Sequence, residues 1–196
     1  MSNILGVNKK YQAEADRLLA ETGLVESLGD FGQVHFTGAY RAGLMMHGDI
    51  DLYVVRKQPF SAEDVLEVLR QLYLADQFRS YFIKGNWQDP RMGREFPDGR
   101  YIGLKQKRDG ETWKCDIWLL DQAEFEKRQA EGFNVADTEI KEDQKERILH
   151  FKMIRDRDCL PISSQAIYLS VLRHNCQSIE ELKTQSEKID LEADLW

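Results

Sequence analysis

An Asp-Gly pair at residues 109–110, set between two β-rich runs at 101–107 and 112–120, constrains this chain more than any other feature. Asp-Gly tolerates the positive φ angles of a tight two-residue turn, and flanked in this way it predicts a β-hairpin. Such a turn fixes the register, so that Gly103 faces Asp116, Lys105 faces Lys114 and Lys107 faces Thr112. Side chains alternate across a strand. One face of the hairpin therefore collects Ile102, Leu104, Trp113, Cys115, Ile117 and Leu119, an apolar surface that something must cover. The other carries Asp116 with Lys105, Lys107 and Lys114, and Tyr101 opposite Trp118. Glycine opposite Asp116 predicts open space above that carboxylate. A buried aspartate without a partner is costly, and a metal shared with other carboxylates would supply the partner.

Residues 37–55, Thr-Gly-Ala-Tyr-Arg-Ala-Gly-Leu-Met-Met-His-Gly-Asp-Ile-Asp-Leu-Tyr-Val-Val, offer those carboxylates. Read as a strand, 49–56 places Asp49 and Asp51 on one face and Ile50, Leu52 and Val54 on the other. Two carboxylates side by side repel unless a cation, a proton or solvent intervenes, and Mg²⁺ favours a few carboxylates completed by water and phosphate oxygens. Gly38 permits close backbone approach, and Ala39 to Met46 is expected to begin a short helix whose free N–H groups face an anion. Arg41 in that turn and Lys105 on the hairpin are phosphate candidates, and His47 lies just before the carboxylates. The same pattern also describes a turn followed by a strand whose polar face meets water.

A chain of 196 residues holds one domain with a sizeable core, or a domain with a helical appendage. Apolar periodicity predicts an opening helix over 11–28, a strand at 34–37, a helix from Ser61 through Leu72 capped by Ser61 and Asp64, and a strand at 77–84. Residues 85–100 are dense in turn formers and read as a long irregular loop. Beyond 120 the pattern is helical, with segments at 121–132, 139–157, 164–175 and 179–188, the last capped by Ser178 and Glu181. A net charge of −7 argues against a protein that grips nucleic acid chiefly through its phosphates. Cys115, Cys159 and Cys176 have no metal-ligand spacing and read as reduced thiols, and the four histidines are too scattered for a zinc site. With no apolar run of membrane length and no apolar signal core at residues 1–10, the expected location is the cytoplasm.

A glycine followed by a small residue, then Asp-x-Asp on one strand and a further aspartate on a later strand, resembles the signature of the DNA polymerase β-like nucleotidyltransferase superfamily. Its elements here are Gly38-Ala39, the gap from Tyr40 to Gly48, Asp49-Ile50-Asp51-Leu52, and Asp116 within Lys114-Cys115-Asp116-Ile117-Trp118. The likeness covers roughly residues 30 to 120 and is nearest in style to small stand-alone, antibiotic-nucleotidyltransferase-like members. It implies an α+β nucleotidyltransferase fold, a mixed twisted sheet flanked by helices, with a catalytic domain over 1–120 and a helical region over 121–196 packed on it.

The resemblance also implies two-metal transfer of an NMP from an NTP to a hydroxyl of a small-molecule or protein acceptor. Asp49, Asp51 and Asp116 would be both catalytic residues and ligands of Mg²⁺ or Mn²⁺, and Gly38, Ala39, Arg41 and Lys105 would bind the nucleotide. Trp87, Tyr101 and Trp118 are aromatic candidates for base stacking or for lining the acceptor site. The family usually carries serine or glycine where this chain has Ala39, which removes a phosphate hydrogen bond. An inert binding module of the same fold, serving as a sensor or a toxin–antitoxin partner, is the alternative. The helical region is equally compatible with lining the acceptor cleft and with a homodimer face.

Overall fold

The computed structural model describes residues 3–84, 96–131, 135 and 138–193. The first helix begins earlier than its apolar spacing predicts, because the Asn3 side chain accepts a hydrogen bond from the Gly6 N–H and caps it. It runs as α1 (Ile4–Thr22) until Gly23, at φ 59, turns the chain into a separate α2 (Leu24–Gly29). Strand β1 (Gln33–Thr37) leads into one helical turn, α3 (Gly38–Arg41), and then β2 (Asp49–Arg56). α3 is shorter than expected, since Gly43, at φ 67, leaves the helical path. Helix α4 (Ala62–Leu74) starts on the predicted capping box, Ser61 and Asp64 each bonding the other's backbone N–H. Strand β3 is confined to Ser80–Lys84.

The hairpin of β4 (Arg100–Arg108) and β5 (Glu111–Asp121) forms in the predicted register, with Asp109 and Gly110 at φ 50 and 81 as a tight mirror-image turn requires. Four helices follow among the described residues, α5 (Gln122–Glu131), α6 (Glu142–Arg157), α7 (Ser164–Leu172) and α8 (Ile179–Ala193). Of the predicted loop, residues 85–95 lie outside the described residues, and Trp87 with them. No helix among the described residues is long and apolar enough to cross a membrane.

The five strands form one mixed sheet in the order β1-β2-β5-β4-β3, antiparallel except for the parallel pair of β2 and β5. Its apolar face, from Ile50, Leu52 and Val54 to Ile102, Leu104, Trp113, Cys115, Ile117 and Leu119, is buried under α1, α2 and α4 through Leu18, Leu28, Val65, Val68 and Leu72. A second core gathers Ile148, Leu149, Phe151, Ile167, Val171 and Leu182 of α6 to α8. Ile4 and Leu44 from the front of the chain belong to it as well, so the helical region shares buried apolar contacts with α1 and with the segment between α3 and β2. The opposite sheet face is covered at one end by α5, whose Phe125 ring lies 4.5 Å from that of His35 and 6.1 Å from that of Tyr53. The carboxylates sit farther along that face.

Candidate active site

Strand alternation and register bring the three aspartates together. Asp49 and Asp51 share the face of β2 opposite the fully buried Ile50, Leu52 and Val54. β5 lies beside β2 in parallel register with Asp116 next to Asp51, so the third carboxylate is one strand spacing away, about 4.8 Å. One carboxylate oxygen of each lies within 4.8 Å of those of the other two. The turn after β1 presses its backbone onto them. Gly38, at φ 62, has no alternative there, because a Cβ at this position would lie 2.2 Å from Asp51 Oδ2. Its successors open α3, where the first N–H groups of the turn have no intrahelical acceptor.

The electrostatics ask for a cation. Asp49 Oδ1 is buried with no hydrogen-bond partner among the described residues, and His47 Nε2 stands 3.7 Å from Oδ2 of the same carboxylate. Burial, with Asp49 and Asp116 alongside, pushes the Asp51 carboxyl up to about 7 from its ordinary 3.8. Burial also raises Asp116, against the Tyr101 hydroxyl, which donates to Asp116 Oδ1 at 2.6 Å. An orphaned carboxylate oxygen beside two others is a donor set suited to a hard divalent ion such as Mg²⁺ or Mn²⁺.

A carboxyl whose native pKa is raised keeps a proton that the unfolded chain has already lost. Its stabilising contribution is complete below about pH 4 and is lost as pH rises through about 7. A divalent cation binds the deprotonated form and competes with that proton. At a hundredfold excess over Kd, Mg²⁺ or Mn²⁺ is expected to stabilise the protein by about 2.7 kcal/mol near pH 8, a rise in Tm of roughly 5–10 °C. Near pH 5 the rise should shrink severalfold. Calorimetry with and without chelator at both pH values checks this, and equal shifts at the two would remove the metal from these carboxylates.

Asp49 and Asp51 form the floor of a cleft. One wall is Thr37, Gly38 and Ala39, and the other comes from α6 and α7 as Lys152, Ser164, Gln165 and Tyr168. Lys152 is 1% exposed, and its Nζ donates to the Leu44 carbonyl at 2.7 Å and to the Tyr168 hydroxyl at 3.3 Å. Burial lowers its pKa from 10.5 to about 8, with Arg155 adding to the effect while Asp156, Asp49 and Asp51 oppose it. A lysine on this wall was visible in principle, since position 152 falls four residues after Ile148 on a buried helical face. Its chemistry is hidden among the many charges of that segment.

The structure brings Asp49, Asp51, Asp116, Gly38 and Ala39 to one place. Arg41 is exposed at the end of α3 and does not line the cleft, and neither does Lys105, which stands on β4 with its Nζ 4.8 Å from the centre of the Phe82 ring. The open space expected above Asp116 is filled. Gly103 does lie opposite it, but the Tyr101 side chain leans across the glycine, its hydroxyl 2.6 Å from where a Cβ would be. The glycine thus makes room for a hydrogen bond to Asp116 rather than for solvent. Tyr101 and Trp118 pack edge to face at 5.3 Å, and Trp118 stacks with Phe96 at 6.0 Å.

No protein-family model matches the chain, and no curated protein matches it. Among solved structures, its architecture is similar to one in the noncanonical poly(A) polymerase complex GLD-2–GLD-3, with a TM-score of 0.52 at 10% identity. The match covers 88% of this chain and 58% of that one, so this chain spans little more than half of its neighbour's length. At that identity the likeness speaks for the fold alone. The fold shared with that structure is a five-stranded mixed sheet flanked by helices, and this chain gathers three aspartates on one face of it.

Proposed function

We propose that this protein transfers a nucleoside monophosphate from a nucleoside triphosphate to a hydroxyl acceptor and releases pyrophosphate. The observation that carries the reading is the meeting of Asp49, Asp51 and Asp116 on one sheet face, their oxygens within 4.8 Å of one another, beside a glycine turn and a buried lysine. Asp49, Asp51 and Asp116 would hold Mg²⁺ or Mn²⁺, which when bound neutralises phosphate charge and acidifies a hydroxyl. Gly38 and Ala39 offer backbone N–H groups to the phosphates, Arg41 adds charge near that wall, and Lys152 faces them from the other. Asp116 receives the acceptor's proton as the acceptor oxygen attacks the α-phosphorus and the bond to the pyrophosphate oxygen breaks. The Tyr101 hydroxyl orients that carboxylate. Catalysis of this kind rests on positioning and charge more than on covalent chemistry.

The test is pyrophosphate release from each NTP in Mg²⁺ or Mn²⁺ across a panel of hydroxyl acceptors. Release that depends on acceptor and metal, and is lost in Asp116→Asn, is the expected result. A binding module of the same fold is the second reading. Ala39 in the cleft favours it, since a serine hydroxyl there would add a phosphate hydrogen bond of about 1–3 kcal/mol. Tight metal–NTP binding with no release for any acceptor would decide for the module.

A further inference from the structure

The loop between α3 and β2 is pinned at both ends. Two side chains that are each 1% exposed, Lys152 and Asn8, donate to the consecutive carbonyls of Leu44 and Met45 at 2.7 and 2.9 Å. At the far end the Gly48 carbonyl accepts from the Lys114 N–H of β5 at 2.9 Å, and the Asp49 N–H closes a three-residue turn on the His47 carbonyl at 3.0 Å. Gly48 packs on Trp113, where a Cβ would lie 2.5 Å from the indole ring. The backbone these contacts fix is that of His47. Its side chain is 53% exposed, lines the same cleft as Asp49 and Asp51, and places Nε2 3.7 Å from Asp49 Oδ2. Two donors of one ion, each about 2.0–2.2 Å from it, stand roughly 3–4 Å apart. The other oxygen of Asp49 is buried with no hydrogen-bond partner among the described residues.

We infer that His47 is a ligand of the ion held by Asp49 and Asp51, and that its nitrogen makes the site select Mn²⁺ over Mg²⁺. The inference rests on the metal-dependent nucleotidyl-transfer reading and names the ion which that reading leaves open. Mg²⁺ demands near-ideal octahedral oxygen ligation and gives up water reluctantly, so it gains little from an imidazole. First-row transition ions bind mixed nitrogen and oxygen sites more strongly, and Mn²⁺ is the one among them that carboxylate and water ligands also suit. Register sets Asp116 beside Asp51 and Lys114 beside Asp49, so His47 stands at the end of the cluster away from Asp116. The ion it reaches is the one shared by the two β2 carboxylates, and Asp116 is left to the acceptor. The competing account is an ion pair of His47 with Asp49. That pair needs a protonated ring, and a bound cation would repel it rather than recruit it.

The experiment uses the full chain at about pH 8, above the ordinary imidazole range, and needs no turnover. Mn²⁺ alone is added to an excess of protein, and the electron spin echo is recorded with and without ¹⁵N-labelled histidine. The expected result is a coupling from a directly bound histidine nitrogen that changes with the label and vanishes in His47→Ala. In calorimetric titrations His47→Ala should weaken Mn²⁺ by about tenfold or more and leave Mg²⁺ unchanged. Bound Mn²⁺ with no histidine coupling overturns the inference, and so does a coupling that persists in His47→Ala. A variant that weakens both ions equally, or neither, overturns it as well. Titration with Mn²⁺–ATP separates this inference from the nucleotidyl-transfer reading. Mn²⁺–ATP bound without histidine coupling overturns the ligand and leaves that reading standing. Histidine-coupled Mn²⁺ on a chain that takes up no NTP keeps the ligand and sinks the reading.

Discussion

Asp51→Asn is expected to abolish nucleotidyl transfer while raising the melting temperature of the metal-free protein above about pH 7. Two effects of one carboxylate run in opposite directions. Burial and the facing Asp49 and Asp116 hold its pKa at about 7, so at higher pH the metal-free fold carries a charge it would rather not have. At about 1.4 kcal/mol per pKa unit, and discounting for solvent in the open cleft, removing that charge stabilises by on the order of 1–3 kcal/mol. Asparagine keeps the shape and fills the same space above Gly38. It cannot supply the negative oxygen that a divalent ion requires, and transfer is expected to fall on the order of 10²–10³-fold or more. Tm against pH, with and without Mg²⁺, should show the parent's metal-induced rise and none in the variant. A variant that loses stability at every pH would make Asp51 a structural residue instead.

Lys152→Met is expected to separate binding from folding in the same way. The native pKa of this lysine is lowered to about 8, so the charged form is disfavoured in the fold and stability from this group grows as pH rises from about 8 towards its unfolded value of 10.5. Methionine removes the cost of the buried charge and keeps the apolar stem. It gives up the hydrogen bonds to Leu44 and Tyr168, an offset of comparable size. Tm near neutral pH should therefore stay within a few degrees of the parent. If the proposed reading holds, affinity for Mg²⁺–ATP draws on this cation and should drop about 10–100-fold, as expected for one charge-assisted contact. Calorimetric titration measures it. An unchanged affinity would move the triphosphate away from the α6–α7 wall.

Much of the arrangement is legible in the sequence. The Asp109-Gly110 turn set a register that decided the faces of β4 and β5, and period-two alternation did the same for Asp49 and Asp51. The helix boundaries at Asn3 and Gly23 were less legible, because a side-chain cap and a left-handed residue act within a single turn and leave hardly a trace in apolar spacing. The space above Asp116 was misjudged for a similar reason. Register says which residue lies opposite, and glycine was rightly placed, but whether a neighbouring tyrosine leans into the gap depends on packing around Trp118.

By itself, the sequence determined what local rules govern: strand faces, hairpin register, the capping box of Ser61 and Asp64, and the carboxylate pair on β2. Each depends on residues close along the chain, where turn chemistry and alternation leave few choices. Only the tertiary structure decided that β5 lies parallel beside β2, so that Asp116 meets Asp51, and that Lys152, more than 100 residues from Leu44, donates to its carbonyl. Those contacts follow from how the apolar sheet face and the helical core are buried against their neighbours. That is a non-local balance of packing which no spacing along the chain encodes.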